Sequence, residues 1–354
     1  MKKIVLTGGG TAGHVTPNIA LMPELTARGY EISYIGSHQG MEREMIEKTG
    51  TPYYGISTGK LRRYFDLKNF TDVFRIIGGY FGARGHLKKL HPDVVFSKGG
   101  YVSVPVVIAA GRMGIPVIIH ESDMTPGLAN KISIRYASRV CCNFPETMKY
   151  LPADKAVLSG SPIRAELFDG DKARGLAFCG FNDQKPVLLI VGGSLGAVAV
   201  NNAVRAVLPE ILKKFQVIHL CGKGKTDPSL DGTPGYVQYE FISKELPDLM
   251  AAADLIISRA GANAICEFLA LKKPAILVPL PAGASRGDQI LNAESFAKQG
   301  FSYLLPEEEI TNERMMAVID EVFENREKYV RAMEESNQNS AITIIADLAD
   351  ELSK

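Results

Sequence analysis

Twice in this chain an apolar, β-branched run ends in a cluster of glycines and continues as a helical pattern. The first is Lys3-Ile4-Val5-Leu6-Thr7-Gly8-Gly9-Gly10, the second Pro186-Val187-Leu188-Leu189-Ile190-Val191-Gly192-Gly193-Ser194. A strand covered on both faces reads as a near-continuous apolar run, and the helix after it packs back on the sheet. The same alternation fills the rest of the chain. Residues 4–7, 32–35, 94–96, 117–120 and 140–142 read as strands, with helices expected over 15–28, 41–49, 70–88, 103–112 and 126–136. The pattern then restarts, with strands at 187–191, 217–220, 237–239, 255–257 and 275–278. Helices are expected near 196–213, 245–252, 262–271, 288–299 and, with breaks, 311–350. This predicts an α/β chain of two Rossmann-like, parallel-sheet domains facing each other across a cleft. The expected boundaries are 1–163 and 164–336, with a helix at about 337–354 packing back on the first domain.

A length of 354 residues fits two domains with ample core, and 46% apolar and 22% charged residues are ordinary for a soluble globular chain. The net charge is only +1, yet the halves differ. Residues 1–165 hold 21 Lys and Arg against 12 Asp and Glu, whereas residues 166–354 hold 19 against 27. The basic half suits an anionic partner, although solvated surface charge gives the same count. Cys141, Cys142, Cys179, Cys221 and Cys266 show no metal-ligand spacing and fit a reducing compartment. The N-terminal apolar run is too short for a signal peptide, and no run is long and apolar enough to span a bilayer.

Gly8-Gly9-Gly10-Thr11-Ala12-Gly13 satisfies GxGxxG. Glycines let the backbone turn tightly and bring amides close to a phosphate. A dinucleotide site also wants an acid at the end of the second strand. That end reads Ile35-Gly36-Ser37, with Glu31 at the strand's start. No Lys-Ser/Thr pair follows, so the loop is not a P-loop either. His14 comes directly after the loop, where a helix N-terminus favours the neutral imidazole that a base requires. Ser97-Lys98-Gly99-Gly100-Tyr101-Val102-Ser103 and Gly192-Gly193-Ser194-Leu195-Gly196 make two further glycine turns. Three such turns at strand C-termini would serve two anionic groups, one per domain.

Between Ser258 and Asn292 a strand leads through Ser258-Arg259-Ala260-Gly261 into a helix with Glu267 inside it. A second strand leads to the polar cluster Arg286-Gly287-Asp288-Gln289-Ile290-Leu291-Asn292. Such a crevice could hold an anion at the helix start while a carboxylate meets a vicinal diol. Phosphate, ribose and sugar hydroxyls together ask for this set.

These motifs, taken in order along essentially the whole chain, resemble the UDP-N-acetylglucosamine transferases of peptidoglycan synthesis, glycosyltransferase family 28. The matching stretches are Gly8 to Pro17, Lys98-Gly99-Gly100-Tyr101, His120-Glu121, Gly160-Ser161-Pro162-Ile163-Arg164, Gly192 to Gly196, Ser258 to Gly261 and Asp288-Gln289. Ser122-Asp123 stands where some members carry Gln-Asn, and Asp288 where some carry Gln. The resemblance implies a GT-B fold and inverting transfer of GlcNAc from UDP-GlcNAc to the C4 hydroxyl of MurNAc in lipid I, giving lipid II. It implies a donor site in the second domain and an acceptor site in the first. Thr11, Ala12 and Gly13 would lie near the sugar and diphosphate, and Arg164 and Ser194 near the donor phosphates. Phe241 and Ile242 would pocket the uracil, and Ala262, Asn263, Ala264, Ile265 and Cys266 would supply amides. Glu267 would take the ribose hydroxyls and Gln289 those of the sugar. Gly9, Gly10, Gly99, Gly100 and Tyr101 would form the acceptor diphosphate loops.

Transfer needs a base for the acceptor hydroxyl, and the candidates are His14, which is favoured, and Glu121. The charge on departing UDP can be met by amides, a helix N-terminus and Arg164, so no metal or cofactor is expected to be required, a divalent cation at most stimulating. Asp169-Gly170-Asp171 fits a metal-binding DxD formally, but its place in a polar turn after the domain join fits a solvated loop better. Residues 60–89 hold eight basic side chains among Phe65, Phe70, Phe74, Ile77, Tyr80 and Phe81. That pattern fits an amphipathic core helix and, because apolar residues cover more than one stripe, shallow contact with anionic lipid. The expected location is the cytoplasmic face of the cell membrane, peripherally bound. No nucleic-acid-reading motif is present, so no nucleic-acid partner is expected. A UDP-GlcNAc 2-epimerase and a non-catalytic nucleotide-sugar sensor are the rival readings.

Overall fold

The computed structural model describes residues 1–59, 68–193, 196–283, 287–336 and 340–353, with the backbone alone at 68–71 and 73. The chain divides into two compact units, Met1–Arg164 with Gln338–Lys354, and Ala165–Asn337. The first unit contains β1 (Lys2–Thr7), β2 (Tyr30–Ser37), β3 (Tyr53–Ile56), β4 (Val94–Ser97), β5 (Val117–Glu121), β6 (Arg139–Cys142) and β7 (Ala156–Leu158). They form one sheet in the order β3-β2-β1-β4-β5-β6-β7, parallel throughout. The second unit contains β8 (Val187–Val191), β9 (Gln216–Leu220), β10 (Tyr236–Tyr239), β11 (Leu255–Ser258), β12 (Ala275–Leu277) and β13 (Tyr303–Leu304). Their order is β10-β9-β8-β11-β12-β13, again all parallel. Two Rossmann-like sheets are thus present, as the alternation predicts.

Side-chain alternation explains the continuous apolar runs. Ile4, Leu6, Phe96 and Ile118 point into one core of the first unit, while Val5, Val95 and Ile119 point into the other. Neighbouring Cys141 and Cys142 divide between the same two cores. Both faces of the sheet are therefore covered, and the buried polar strand residues Thr7, Ser37, Ser97, His120 and Glu121 lie at or next to the C-terminal ends of their strands. Each unit begins with a central strand, builds outward on one side, and then crosses to the other. The strand order reverses between β1 and β4 and between β8 and β11. In open parallel sheets a ligand crevice typically lies at the strand C-termini beside such a reversal. All the glycine turns singled out above leave these strands.

The structure adds and divides elements. The strands β3, β7 and β13 were not expected; each lies toward an edge, is two to four residues long and is at most partly buried over most of its length. A helix at Lys172–Cys179 occupies a stretch for which no element was expected. The expected helix 196–213 is two, Val198–Ala206 and Leu208–Lys214, because Pro209 has no N–H to continue the first ladder. The expected helix 126–136 is Leu128–Ser133 followed by a 3-10 turn to Tyr136. The expected run 311–350 comprises Asn312–Glu324, Arg326–Glu334 and Ala341–Leu352.

The last helix belongs to the first unit. Ile345, Ala346 and Ala349 are buried with Leu21, Leu25 and Tyr30. Ion pairs border that contact: Lys2–Asp350 at 2.7 Å, Arg28–Asp347 at 2.6 Å, Arg28–Asp350 at 2.9 Å and Arg139–Glu351 at 2.7 Å.

Candidate active site

In the first unit the loops after β1 and β4 interlock. Gly8, Gly9 and Gly10 turn the chain into a 3-10 turn, Ala12–His14, and then the helix Thr16–Ala27 with Pro17 in its first turn. Gly100 has φ +81°, and a Cβ there would overlap the carbonyl oxygen of Gly9. A Cβ on Gly10 would come within 2.6 Å of the Tyr101 ring. The glycines thus let two backbones touch as well as turn. The amide of Gly99 donates to Ser97 Oγ at 3.2 Å, and that of Gly10 to Glu42 Oε2 at 3.2 Å. No group among the described residues accepts from the amides of Gly9, Gly100 and Tyr101.

His14 stands where these loops meet, half-buried. Its Nδ1 lies 3.2 Å from the carbonyl oxygen of Lys98. A carbonyl only accepts, so the neutral ring carries its proton on Nδ1 and its basic lone pair on Nε2. Asn18, fully buried, holds the turn from beneath by donating to the carbonyls of Thr7 at 3.2 Å and His14 at 3.1 Å. Thr11 and Ala12 are exposed at the loop tip and Gly13 is half-buried.

Glu121 ends β5 and is buried. One oxygen accepts from the amide of Asp123 at 3.0 Å; the other accepts from the amide of Gly127 at 3.0 Å and from Asn130 Nδ2 at 2.8 Å. Burial pushes its carboxyl above the ordinary range, against the opposing effect of donation from Asn130. These contacts make it the anchor of the loop 122–127. Its neighbour His120 donates from Nε2 to the carbonyl of Gly160 at 2.9 Å and receives the Lys98 ammonium on Nδ1 at 2.7 Å. Burial first, and the Lys98 charge second, hold His120 well below the usual imidazole range, so it stays neutral.

In the second unit, four of the residues expected at the donor site line one cavity of about 110 Å³: Phe241, Ile242, Ala264 and Glu267. Val191, Gly193, Leu220, Leu246, Met250 and Phe268 complete its mostly apolar wall, with Glu240 at its border. It opens at the C-terminal ends of β8 and β9, beside the helix Ala262–Ala270 that follows β11. That helix starts at Gly261 without a side-chain cap and without an acid in its first turn, so its dipole faces the crevice. Glu267 lies farther along, and helical side chains lean back toward the N-terminus. Ile265 and Cys266 are placed differently: both side chains are buried, and the Ile265 amide already donates to the carbonyl of Gly261 at 3.1 Å.

Arg259 is a brace. It pairs with Glu307 at 2.5 Å and donates to the carbonyls of Val278 and Pro279 at 3.1 Å each. Gln289, in the first turn of the helix Asp288–Lys298, accepts the Leu280 amide on Oε1 at 3.1 Å, which leaves Nε2 as its donor. Asp171 of the DxD-like stretch caps the helix Lys172–Cys179 by accepting from the amide of Arg174 at 2.7 Å. Arg164 is half-buried at the end of the first unit's main segment. Ser194 lies outside the described residues.

The helix Lys68–Leu90 carries Phe74, Ile77 and Phe81, exposed by 75%, 48% and 64%. Their spacing puts them on one face. Arg75, Arg84, Lys88 and Lys89 are also exposed. Of the basic-aromatic stretch, residues 60–67 lie outside the described residues. Sequence reasoning missed Glu42, Asn18 and the apolar donor-cavity wall. The signal for Glu42 was Gly40-Met41-Glu42, an acid opening a helix just beyond β2.

Comparison with known proteins agrees with this arrangement. Residues 4–142 match the glycosyltransferase family 28 N-terminal domain and residues 187–351 the family's C-terminal domain. A relative from Lachnoclostridium phytofermentans is 64% identical over 352 residues, covering 99% of both chains. One from Lachnospira eligens is 62% identical over the full length of both. Both are named UDP-N-acetylglucosamine–N-acetylmuramyl-(pentapeptide) pyrophosphoryl-undecaprenol N-acetylglucosamine transferase. The crystal structure of Acinetobacter baumannii MurG superposes with a TM-score of 0.78 at 28% identity, over 99% of this chain and 100% of that one. The chain is a glycosyltransferase with the GT-B type of fold, and it belongs to glycosyltransferase family 28.

Proposed function

We propose that the chain moves GlcNAc from UDP-GlcNAc to the C4 hydroxyl of MurNAc in lipid I, forming lipid II at the cytoplasmic face of the membrane. The observation that supports this best is the donor cavity, where Phe241, Ile242 and Glu267 converge beside an uncapped helix start. An apolar slot of this size accepts a flat base, Glu267 can accept from both ribose hydroxyls, and the first helical amides can face the diphosphate. Gln289 Nε2 reads a sugar hydroxyl, and Arg164 meets leaving-group charge. Each such donor is worth about 3 kcal/mol in a water-excluded site, which gives departing UDP its stabilisation without a required metal.

The first unit takes the acceptor. His14 Nε2 removes the proton from the C4 hydroxyl as its oxygen bonds to the anomeric carbon, and the bond from that carbon to the UDP oxygen breaks. Glu121 is the weaker base candidate, because its oxygens already hold three loop donors. The acceptor diphosphate is assigned chiefly to the amides of Gly100 and Tyr101, since those of Gly10 and Gly99 serve the protein's own oxygens. Phe74, Ile77 and Phe81, with the neighbouring cations, rest on anionic lipid where a prenyl-linked acceptor resides.

The test is UDP release from UDP-GlcNAc on anionic vesicles with and without lipid I. Release that depends on lipid I, with a disaccharide-bearing lipid as product, is expected. Conversion of UDP-GlcNAc to its 2-epimer without acceptor, or binding with no turnover, would favour the rival readings.

A further inference from the structure

The end of β2 has no acid in line, yet one reaches it from the next helix. Glu42, second residue of the helix Met41–Glu47, is fully buried. Its Oε2 accepts from the amide of Gly10 at 3.2 Å. Its Oε1 accepts from the amide of Ser37 at 3.2 Å and from the Ser37 hydroxyl. The backbone is shaped around this carboxylate: a Cβ on Gly9 would lie 2.6 Å from Glu42 Cδ, and one on Gly40 would overlap its oxygens. A buried carboxylate persists only when hydrogen bonds satisfy it, and its place in a helix's first turn adds a favourable dipole. A dinucleotide-binding acid at this point would face a ribose; this one faces the protein.

The contacts continue from Glu42 to His14 without a flexible side chain between them. Gly9 and Gly10 pack against Gly100 and Tyr101. A Cβ on Gly100 would lie 3.0 Å from His14 Cδ2, and the carbonyl of the nearby Lys98 receives His14 Nδ1. We infer that Glu42 is a positioning residue for the transfer reaction, its carboxylate fixing the first glycine loop and, through it, the His14 imidazole. The inference rests on His14 as the base.

Glu42→Gln keeps the size but turns an acceptor of the Ser37 donors into an amide. Turnover should fall by about ten- to a hundredfold, the range expected when a reacting group shifts by up to 1 Å. UDP affinity should change far less than turnover, because the cavity assigned to uracil and ribose lies in the second unit. The double variant Glu42→Gln/His14→Ala should be no slower than His14→Ala alone, since the lost geometry acts only through the imidazole. Ser37→Ala, which removes one hydroxyl donor, should show a smaller loss in the same direction and serves if Glu42→Gln does not fold. Wild-type turnover in both Glu42→Gln and Ser37→Ala, beside a deep loss in His14→Ala, would overturn this inference alone. So would a double variant slower by the product of the single losses. Near-normal turnover in His14→Ala would overturn the base assignment and this inference together.

Discussion

At the scale of single residues, the account turns on which histidine can exchange a proton. The chain has six. His120 is fully buried and held neutral, and His219 is buried between Tyr236 and Asn201, with burial pulling it down to about 3. Neither titrates over a working pH range, so an acid limb in turnover cannot come from them. His14→Ala should lower turnover by at least about a hundredfold while UDP still binds, and the acid limb should vanish with the ring. Steady-state rates measured as a function of pH read both at once. A variant that keeps the limb would move the base elsewhere. His14 was legible because it follows a glycine turn directly. Glu42 was not: its partners lie at positions 10 and 37, and only the fold brings them together.

At the scale of elements, two helices carry predictions. The helix Ala341–Leu352 is tied to β1 and β2 by apolar contact and by Asp350. The hydrogen bond from Lys2 is the main reason that the Asp350 carboxyl sits below its usual range, and the same bond raises the Lys2 ammonium. An acid depressed in the folded state adds stability above its unfolded pKa, about 3.9, and loses it as pH falls through the folded value. The Lys2 contribution is present below its unfolded pKa, about 10.4, and fades as pH rises through the raised folded value. Asp350→Asn should therefore lower Tm near neutrality, with the gap to wild type closing below about pH 4. A constant gap down to strong acid would contradict the pairing. The helix Lys68–Leu90 presents Phe74, Ile77 and Phe81 outward. Phe74→Ser/Phe81→Ser should reduce co-sedimentation with anionic vesicles, and added salt should weaken wild-type binding. Equal binding by variant and wild type would remove this face from the membrane contact. Central strands were legible because both their faces are apolar. The edge strands β3, β7 and β13 were not, because a strand two to four residues long with partly exposed side chains leaves little periodicity. The break at Pro209 could have been read from the proline itself.

At the scale of the whole molecule, one arrangement occurs twice. Each unit starts with a central strand, turns on glycine and reverses strand order beside that turn. The units then diverge in chemistry. The first places a histidine at the turn, and the second builds an apolar cavity with a carboxylate at its edge. Sequence spacing alone found Glu267, because its helix starts just past a strand and a glycine. Phe241 and Ile242 came through family resemblance, and the cavity's remaining wall emerged only from packing. The most direct test is a crystal structure of the chain with UDP-GlcNAc bound. The account predicts uracil in the cavity against Phe241 and Ile242, ribose hydroxyls on Glu267, and diphosphate at the start of the helix Ala262–Ala270. A nucleotide bound elsewhere, with that cavity empty, would contradict it.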